Sequence, residues 1–187
     1  ILYVSPSDLD ATDSITNAGN SLARPFKTLQ RALIESARFS YQQGDSNDFT
    51  ERTTILLMPG EHEIDNRPGL SIQPSGGTFQ LIDANGAVVG NESIFLDLNT
   101  NFDLSDPNNV LRKLNSTEGG VIVPRGTSIV GLDLRKTKIR PKYVPNPTIS
   151  TIAPTAMFRI TGACYLWQFS VFDGKGNVYT DPTDLTG

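Results

Sequence analysis

The sequence predicts a mainly β protein in which one helix covers the open end of a stack of short strands. A single amphipathic helix is followed by a long series of short apolar runs. The 187 residues include 16 Gly and 12 Pro, and 37% are hydrophobic, which is typical of a turn-rich β protein. Strand clusters recur every few tens of residues, which fits a solenoid, although a β-sandwich gives a similar rhythm.

The helix is predicted from Thr28 to Tyr41. Thr28 can cap its first turn, and the Gly-Asp-Ser-Asn run that begins at Gly44 ends it. The small and apolar residues with i, i+3, i+4 spacing form one stripe, which we expect to face the strands: Leu29, Ala32, Leu33, Ser36 and Ala37.

We divide the chain into an N-terminal part, 1–50, and the first coils of a strand stack, 51–187, together one domain of a chain expected to be longer. The N-terminal part holds a short strand at 1–4, a polar loop and the capping helix. Two linkers interrupt the stack near 99–120 and 141–154, and the second carries four prolines. The predicted strands lie at 55–58, 70–72, 79–82, 87–89, 93–98, 121–123, 128–134, 157–160 and 165–172.

The last predicted strand, 165–172, has two unlike faces. Strand alternation places four large apolar residues on one side, Tyr165, Trp167, Phe169 and Val171. We expect that side to face the core, and the mixed opposite side to be covered by a following segment or a neighbouring subunit.

Composition narrows the class of protein. A net charge of −4 and a pI near 4.9 give no overall attraction to nucleic acid or an anionic membrane. No apolar run approaches the ~20 residues that span a bilayer, so membrane insertion is not expected. The single cysteine, Cys164, cannot form an internal disulfide, and its apolar setting predicts a buried structural thiol.

Two sets of aspartates could carry chemistry. Asp8, Asp10 and Asp13 are hard oxygen ligands at close spacing, as calcium requires, but they fit a loop of Asx turns better. Paired carboxylates roughly 5–10 Å apart would hydrolyse a polysaccharide. The candidate carboxylates are those of Asp83, Asp97, Asp133 and Asp173. Each of them ends or interrupts an apolar run, where aspartate commonly forms turns. We therefore predict that the chain has no catalytic residue and binds no metal or cofactor.

The lone histidine, His62, follows Pro-Gly-Glu and has no His, Cys or Ser partner nearby in sequence, so it is interpreted as a turn residue. The Gly76-Gly77 and Gly119-Gly120 pairs lack the Lys-Ser/Thr of a phosphate loop and are interpreted as turns.

One run concentrates positive charge. It consists of Arg135, Lys136, Lys138, Arg140 and Lys142. These residues are candidate contacts for an acidic glycan or a partner protein. The alternative is that they form a solvated turn whose charges discourage edge-to-edge association of strands.

The chain also resembles a known family. The segments at 3–5 (YVS), 24–33 (RPFKTLQRAL) and 54–62 (TILLMPGEH) resemble the opening of right-handed parallel β-helix proteins of the pectin-lyase-like type, and 121–132 (VIVPRGTSIVGL) resembles one of their coils. The sequence of residues 25–41, 64–69 (IDNRPG) and 167–169 (WQF) is most similar to that of virion structural proteins of contractile-tailed phages that infect cyanobacteria.

The resemblance implies a right-handed parallel β-helix with an N-terminal capping helix. It implies a non-enzymatic component of a phage tail, baseplate or fibre, assembled in the host cytoplasm as a homotrimer that binds other virion proteins. The alternative is a tailspike-like polysaccharide depolymerase or carbohydrate-binding module that acts on the host surface.

Overall fold

The computed structural model describes residues 1–14, 17–42, 52–75, 78–90, 113–144, 156–172 and 177–178. In these ranges the protein is mainly β, with one helix, α1 (Leu29–Gln42). The strands are β1 (Leu2–Val4), β2 (Thr53–Leu57), β3 (Gly60–Ile64), β4 (Ser71–Ser75), β5 (Thr78–Ile82), β6 (Val88–Gly90), β7 (Val121–Val123), β8 (Thr127–Gly131), β9 (Thr137–Pro141), β10 (Tyr143–Val144), β11 (Phe158–Ile160), β12 (Tyr165–Trp167), β13 (Ser170–Val171) and β14 (Asn177–Val178).

The start of α1 is fixed by two side chains, and it confirms the predicted cap. Thr28 Oγ1 accepts the backbone N–H of Arg31 at 3.2 Å, as an N-cap residue does. Asp13, from the polar loop, accepts the backbone N–H groups of Lys27 and Thr28 at 2.8 and 3.1 Å. A carboxylate at this position also favours the positive end of the helix dipole.

The predicted apolar stripe of α1 faces the strands. Leu29, Ala32 and Leu33 are buried in the hydrophobic core, and α1 packs against β1, β2 and β3. Ser36 is also fully buried, and its hydroxyl lies 2.6 Å from the hydroxyl of Thr127 in β8. The helix therefore packs against the hydrophobic core of the sheets through its small and aliphatic residues.

Most strand pairs are parallel, and the chain visits the same sheets repeatedly. The largest sheet has the order β1-β2-β8-β12, and a second has the order β3-β9-β13. Strands β7 and β11 form a pair, as do β10 and β14. We call β2–β3 the first pass, β7–β10 the second and β11–β14 the third. Each strand of the second pass is paired, in parallel, with the strand four places later.

One sheet departs from this pattern. Strands β4, β5 and β6 form an antiparallel sheet between the first and second passes, with an irregularity in register at Leu81 and Ile82. Ile72 in β4 and Leu70 just before it are buried, and Leu114 N–H donates to the Leu70 carbonyl at 3.0 Å.

The core lies between the parallel sheets because alternate residues of each strand point inward. In β2 and β8 the inward residues Ile55, Leu57 and Ile129 are fully buried, while Leu56 and Val130 between them are partly exposed. The clustered core is formed by Leu2, Val4, Phe26, Leu29, Ala32, Leu33, Ile55, Leu57, Ile64, Val121, Val123, Ile129 and Ile139.

The prediction of a single strand over 165–172 is wrong. Gln168 has φ of 60°, which breaks the extended backbone and separates β12 from β13. Strand alternation does not continue across such a bend, so residues before and after it cannot be assigned to faces together.

The expected core face of that segment is also wrong for β12. Tyr165 and Trp167 point outward and are half exposed, whereas Leu166 packs against the core. The reason is register, because Leu166 lies beside buried Ile129. Beyond the bend, Phe169 does pack against the core, as predicted.

Only the ends of the two predicted linkers lie within the described residues. Residues 91–112 and 145–155 lie outside the described residues, as does the predicted strand at 93–98. Leu114, Asn115, Pro141 and Tyr143, at these ends, are buried. Gly119 and Gly120 have φ of 88° and 95° in a turn, as predicted, while Gly76 and Gly77 lie outside the described residues.

In the described ranges, α1 is too short and too polar to cross a lipid bilayer.

The inward and outward assignments of β2 predict unequal effects of two neighbouring substitutions. Ile55→Ala removes fully buried methyl groups and should lower the free energy of unfolding by about 2–5 kcal/mol. Leu56→Ala, on the outward side of the same strand, should cost less than about 1 kcal/mol. Urea unfolding followed by circular dichroism measures both, and equal losses would show that the assigned faces are wrong.

Candidate functional site

Strands β3 and β9 lie side by side and carry opposite charges on their outward face. The parallel register places Glu61 beside Lys138 and Glu63 beside Arg140. Between the two glutamates, His62 points inward and is buried. The basic run of the sequence therefore lies against an acidic strand of the same chain, and we call these four outward residues the charge ladder.

Arg140 is the centre of the charge ladder. Its guanidinium forms ion pairs with Glu61 and with Glu63. At the next step, Lys142 Nζ lies 4.0 Å from Asp65 Oδ2. A partly exposed ion pair is ordinarily worth about 0.2–1 kcal/mol, and a shared guanidinium lowers the entropic cost of the second pair.

The five predicted contact residues occupy two different settings. Arg135 and Lys136 are exposed in the loop that precedes β9, whereas Lys138 and Arg140 lie within that strand and Lys142 follows it. No finding tests whether they contact a glycan or a partner, so that role stays a prediction.

The turn interpretation of this run is wrong for β9. The inward residues of the strand, Thr137, Ile139 and Pro141, are buried, and Lys138 and Arg140 alternate with them on the outside. Lys138 Nζ also lies 5.8 Å from the centre of the Phe172 ring, within the range of a cation–π contact.

Two of the candidate catalytic aspartates form turns. Asp133 Oδ1 accepts the backbone N–H groups of Arg135 and Lys136 at 2.8 and 3.0 Å, and these hydrogen bonds lower the pKa of its carboxyl group. Asp83 Oδ1 accepts the backbone N–H groups of Asn85 and Ala87, both at 2.8 Å. The turn interpretation is therefore confirmed for both, while Asp97 and Asp173 lie outside the described residues.

The acidic opening loop is also organised by backbone hydrogen bonds. Asp8 Oδ1 accepts the N–H of Asp10 at 2.8 Å in an Asx turn, and Asp13 caps the start of α1. In the part of the chain that the structure describes, no three His, Cys, Asp or Glu side chains gather as metal ligands.

A buried polar cluster that the sequence analysis did not predict joins the first and second passes. The Asn66 side chain accepts the backbone N–H of Tyr143 at 3.1 Å and donates to its carbonyl at 3.0 Å. It therefore pairs with β10 as a strand backbone would. Asn115 Nδ2 donates to the carbonyls of Asp65 and Arg67, both at 2.7 Å.

Arg67 completes this cluster. It is almost fully buried, pairs with Asp65 at 2.6 Å, and holds its guanidinium 4.8 Å from the centre of the Tyr143 ring. The signal in the sequence is the polar run Asp65, Asn66 and Arg67 between two apolar segments. A buried arginine requires such a paired carboxylate, because an unpaired buried charge is very costly.

His62 is a buried strand residue, so its interpretation as a turn residue is wrong. Its Nε2–H donates to the Met58 carbonyl at 2.8 Å, and Nδ1 has no hydrogen-bond partner among the described residues. Burial lowers the pKa of His62, and the hydrogen bond to Met58 only partly opposes this. The imidazole is therefore held neutral in this buried position.

Cys164 is partly buried and precedes β12 rather than lying within it. Its Sγ is 3.2 Å from the Pro124 carbonyl oxygen and 3.1 Å from that of Gly162, and it packs against the core. These contacts support the predicted structural role of the thiol.

The outward face of β12 carries an aromatic pair. The rings of Tyr165 and Trp167 are stacked, with centroids 5.9 Å apart and an angle of 15° between their planes. In the strand register Trp167 lies beside Val130, Val130 beside Leu56, and Leu56 beside Tyr3. An apolar row of side chains therefore crosses the outer surface of the four-stranded sheet.

Comparison with known proteins finds no matching family model, no matching curated protein and no matching solved structure.

The neutral His62 predicts a pH-dependent stability. Because its folded pKa is lower than its unfolded pKa near 6.5, the unfolded state binds more protons below that pH. The free energy of unfolding should be at its full value above about pH 7. It should fall toward pH 5 by at most about 1.4 kcal/mol per pH unit.

Urea unfolding at a series of pH values measures this slope. His62 is the only histidine, so His62→Leu should flatten the slope between pH 5 and 7. An unchanged slope in that variant would contradict the assignment.

The charge ladder predicts a coupling between two strands. In a double-mutant cycle of Glu61→Ala and Arg140→Ala, the coupling free energy should be about 0.5–1 kcal/mol and should shrink in high salt. Lys136 offers a matched control, since it lies in the exposed loop, and the cycle of Glu61→Ala with Lys136→Ala should be additive within about 0.5 kcal/mol. Equal coupling in both cycles would refute a specific ladder.

Proposed function

We propose that the chain is a right-handed parallel β-helix whose first pass is capped by α1. The observation that carries the proposal is the pairing of each second-pass strand with the strand four places later, in parallel and without exception from β7 to β10. Parallel strands joined by a crossover within one sheet are almost always connected with right-handed geometry, which supports the handedness.

The β-sandwich alternative is disfavoured by the same pairs. A sandwich is built from antiparallel sheets, in which neighbouring strands of the chain pair through hairpins or Greek keys. Among the strands of the described residues, antiparallel pairing occurs only between β4, β5 and β6. Successive strands such as β8 and β9 belong to different sheets.

We infer that the protein is a non-enzymatic structural component of a phage tail, baseplate or fibre. Its role is to present a rigid β-solenoid that binds neighbouring virion proteins, as a homotrimer assembled in the host cytoplasm. A solenoid suits this role because each coil is held by its neighbours, which gives length and stiffness. The charge ladder and the Asn66–Tyr143 pairing add polar links between passes.

The turn aspartates also support a structural role. A catalytic pair of carboxylates must leave oxygens free for the substrate and the attacking water. In Asp83 and Asp133, Oδ1 instead holds two backbone N–H groups, and Oδ2 of Asp83 is buried away from solvent.

The alternative function is a tailspike-like depolymerase or a carbohydrate-binding module for the host surface polysaccharide. The observation that favours it is the exposed pair of Tyr165 and Trp167, because sugar rings pack against aromatic faces. The exposed Arg135 and Lys136 would suit an acidic glycan.

Two measurements with cyanobacterial envelope polysaccharide separate these functions. We expect neither new reducing ends nor unsaturated products, since no catalytic pair is proposed. Trp167 is the only tryptophan, so its fluorescence reports directly on sugar binding. We expect no saturable change, and Trp167→Phe serves as the control for signal from other sources.

Immunogold labelling of purified phage particles tests the virion role itself. Antibodies against the chain should label the tail or baseplate. Product formation, or a saturable fluorescence change, would favour the alternative, and unlabelled particles would overturn the structural role.

A further inference from the structure

Two exposed turns of opposite charge lie at the same edge of the four-stranded sheet. Strands β1, β2 and β8 are parallel neighbours, so the segments that follow them leave the sheet at one edge. A Cβ at Gly60, after β2, would lie 2.8 Å from Cγ of Pro6, after β1. On its other side, the Gly60 N–H donates to the carbonyl of Lys136, after β8, at 2.9 Å. The segment after β2 therefore lies between the other two.

The first of these turns, Asp8–Asp10, is called the acidic turn. Leu9 is 100% exposed, and the aspartates on either side of it are exposed as well. Hydrogen bonds within the turn hold it in place, since Asp8 Oδ1 accepts the Asp10 N–H at 2.8 Å and the Asp8 carbonyl accepts the Ala11 N–H at 3.3 Å. The whole apolar surface of Leu9 is therefore available for burial by a partner.

The second turn, Leu132–Lys136, is called the basic turn. Leu132 and Leu134 are 47% and 55% exposed, and Arg135 and Lys136 are exposed beside them. The hydrogen bonds from Asp133 Oδ1 to two backbone N–H groups fix this turn as well. Among the described residues, the Arg135 and Lys136 side chains form no ion pair, in contrast to the arginine of the charge ladder.

The two turns are complementary in charge and in apolar surface, but one chain holds its own pair apart. Neighbouring strands are about 4.8 Å apart, so β1 and β8, with β2 between them, are separated by about 10 Å. The segment that contains Gly60 stands between the turns. The net charge of −4 makes copies of the chain repel one another on average, so association requires a local match of this kind.

A single symmetry operation brings the turns of two copies together. A two-fold axis perpendicular to the sheet, just beyond the end of β2, exchanges the positions of β1 and β8. It sets the acidic turn of each copy against the basic turn of the other. Each contact buries Leu9 against the two leucines of the basic turn and places its aspartates beside Arg135 and Lys136. An isologous contact of this kind closes at two copies.

We propose that the acidic turn of this chain binds the basic turn of a second copy, in a two-fold assembly with two identical contacts. The occupant is a second copy because one chain carries both complementary turns on one edge, and the two-fold axis satisfies both at once. The inference goes beyond the proposed function and rests only on the four-stranded sheet and its turns. If the chain also forms the proposed homotrimer, this contact joins trimers in pairs.

Analytical ultracentrifugation of the 187-residue chain and of a charge variant, Arg135→Glu with Lys136→Glu, tests the proposal. The variant places acidic groups against the acidic turn, so we expect it to have half the mass of the wild type. Both side chains are exposed, so its circular dichroism spectrum should be unchanged. The wild-type assembly should weaken as salt is raised, because salt screens exposed charges.

Reversing the charge of the other turn as well should restore the assembly. Asp8→Asn with Asp10→Lys keeps an Oδ1 acceptor for the first turn and makes it basic, and alone it should also halve the mass. Combined with Arg135→Glu and Lys136→Glu, it should return the mass to that of the wild type. Such a rescue requires that both turns belong to copies of the same chain.

Two further variants separate the contact from the overall charge. Arg52→Glu with Lys113→Glu changes the net charge by the same amount at exposed positions outside both turns, so it should keep the wild-type mass. Leu9→Ser removes the apolar anchor from a fully exposed position, which leaves the core intact. It should raise the dissociation constant by at least about tenfold.

The proposal is overturned if the wild type has the mass of one chain at every concentration, or if the Arg135→Glu, Lys136→Glu variant keeps the wild-type mass. It is also overturned if the combined variant folds and does not regain that mass. If the charge variants fail to fold, hydrogen exchange of the wild type decides: the amides of 8–11 and 132–136 should gain protection as concentration rises, and unchanged protection rejects the contact. A homotrimer whose mass no charge variant alters supports the proposed assembly and rejects this one.

Discussion

The structure depends on the register between strands that are far apart in the chain. Each parallel pair closes a long loop, and the entropy lost in that closure must be offset by the apolar side chains it buries. A slip of one residue would exchange the two faces of a strand, bringing Lys138 inward and Ile139 outward. Hydrophobic alternation therefore excludes odd shifts between neighbouring passes.

A slip of two residues would keep every side chain on its face, so alternation cannot exclude it. The polar links between the first and second passes do exclude a slip of two residues. Arg140 reaches Glu61 and Glu63 together only in the observed register, and the Asn66 amide satisfies both backbone groups of Tyr143 only when it lies beside that residue. The charge ladder and the buried amide thus specify register more than they add free energy, since exposed ion pairs contribute little.

Sequence reasoning succeeded where the signal was local. The Thr28 cap and the stripe of α1 depend on neighbours within two turns, and both are confirmed. Strands β3 and β9 were missed because their outward residues are charged, which leaves few apolar residues in each to show the alternation. The bend at Gln168 was missed because a non-glycine residue at positive φ leaves no mark in a pattern of apolar residues.

The three passes are joined by different chemistry. The first and second are linked by ion pairs and by a buried amide. The third pass instead sends side-chain donors back to carbonyls of the second: Arg159 to Gly119, and Thr161 Oγ1 to Val123 at 2.8 Å. Ser170 likewise donates to the Leu134 carbonyl. Such donors hold the third pass from one side, and among the described residues no further strand pairs with β11, β12 or β13 on the other side. Because local stability follows buried apolar contact, the described sheets are firmest beside α1 and weakest at the third pass, where Ile160 and Val171 are each 55% exposed.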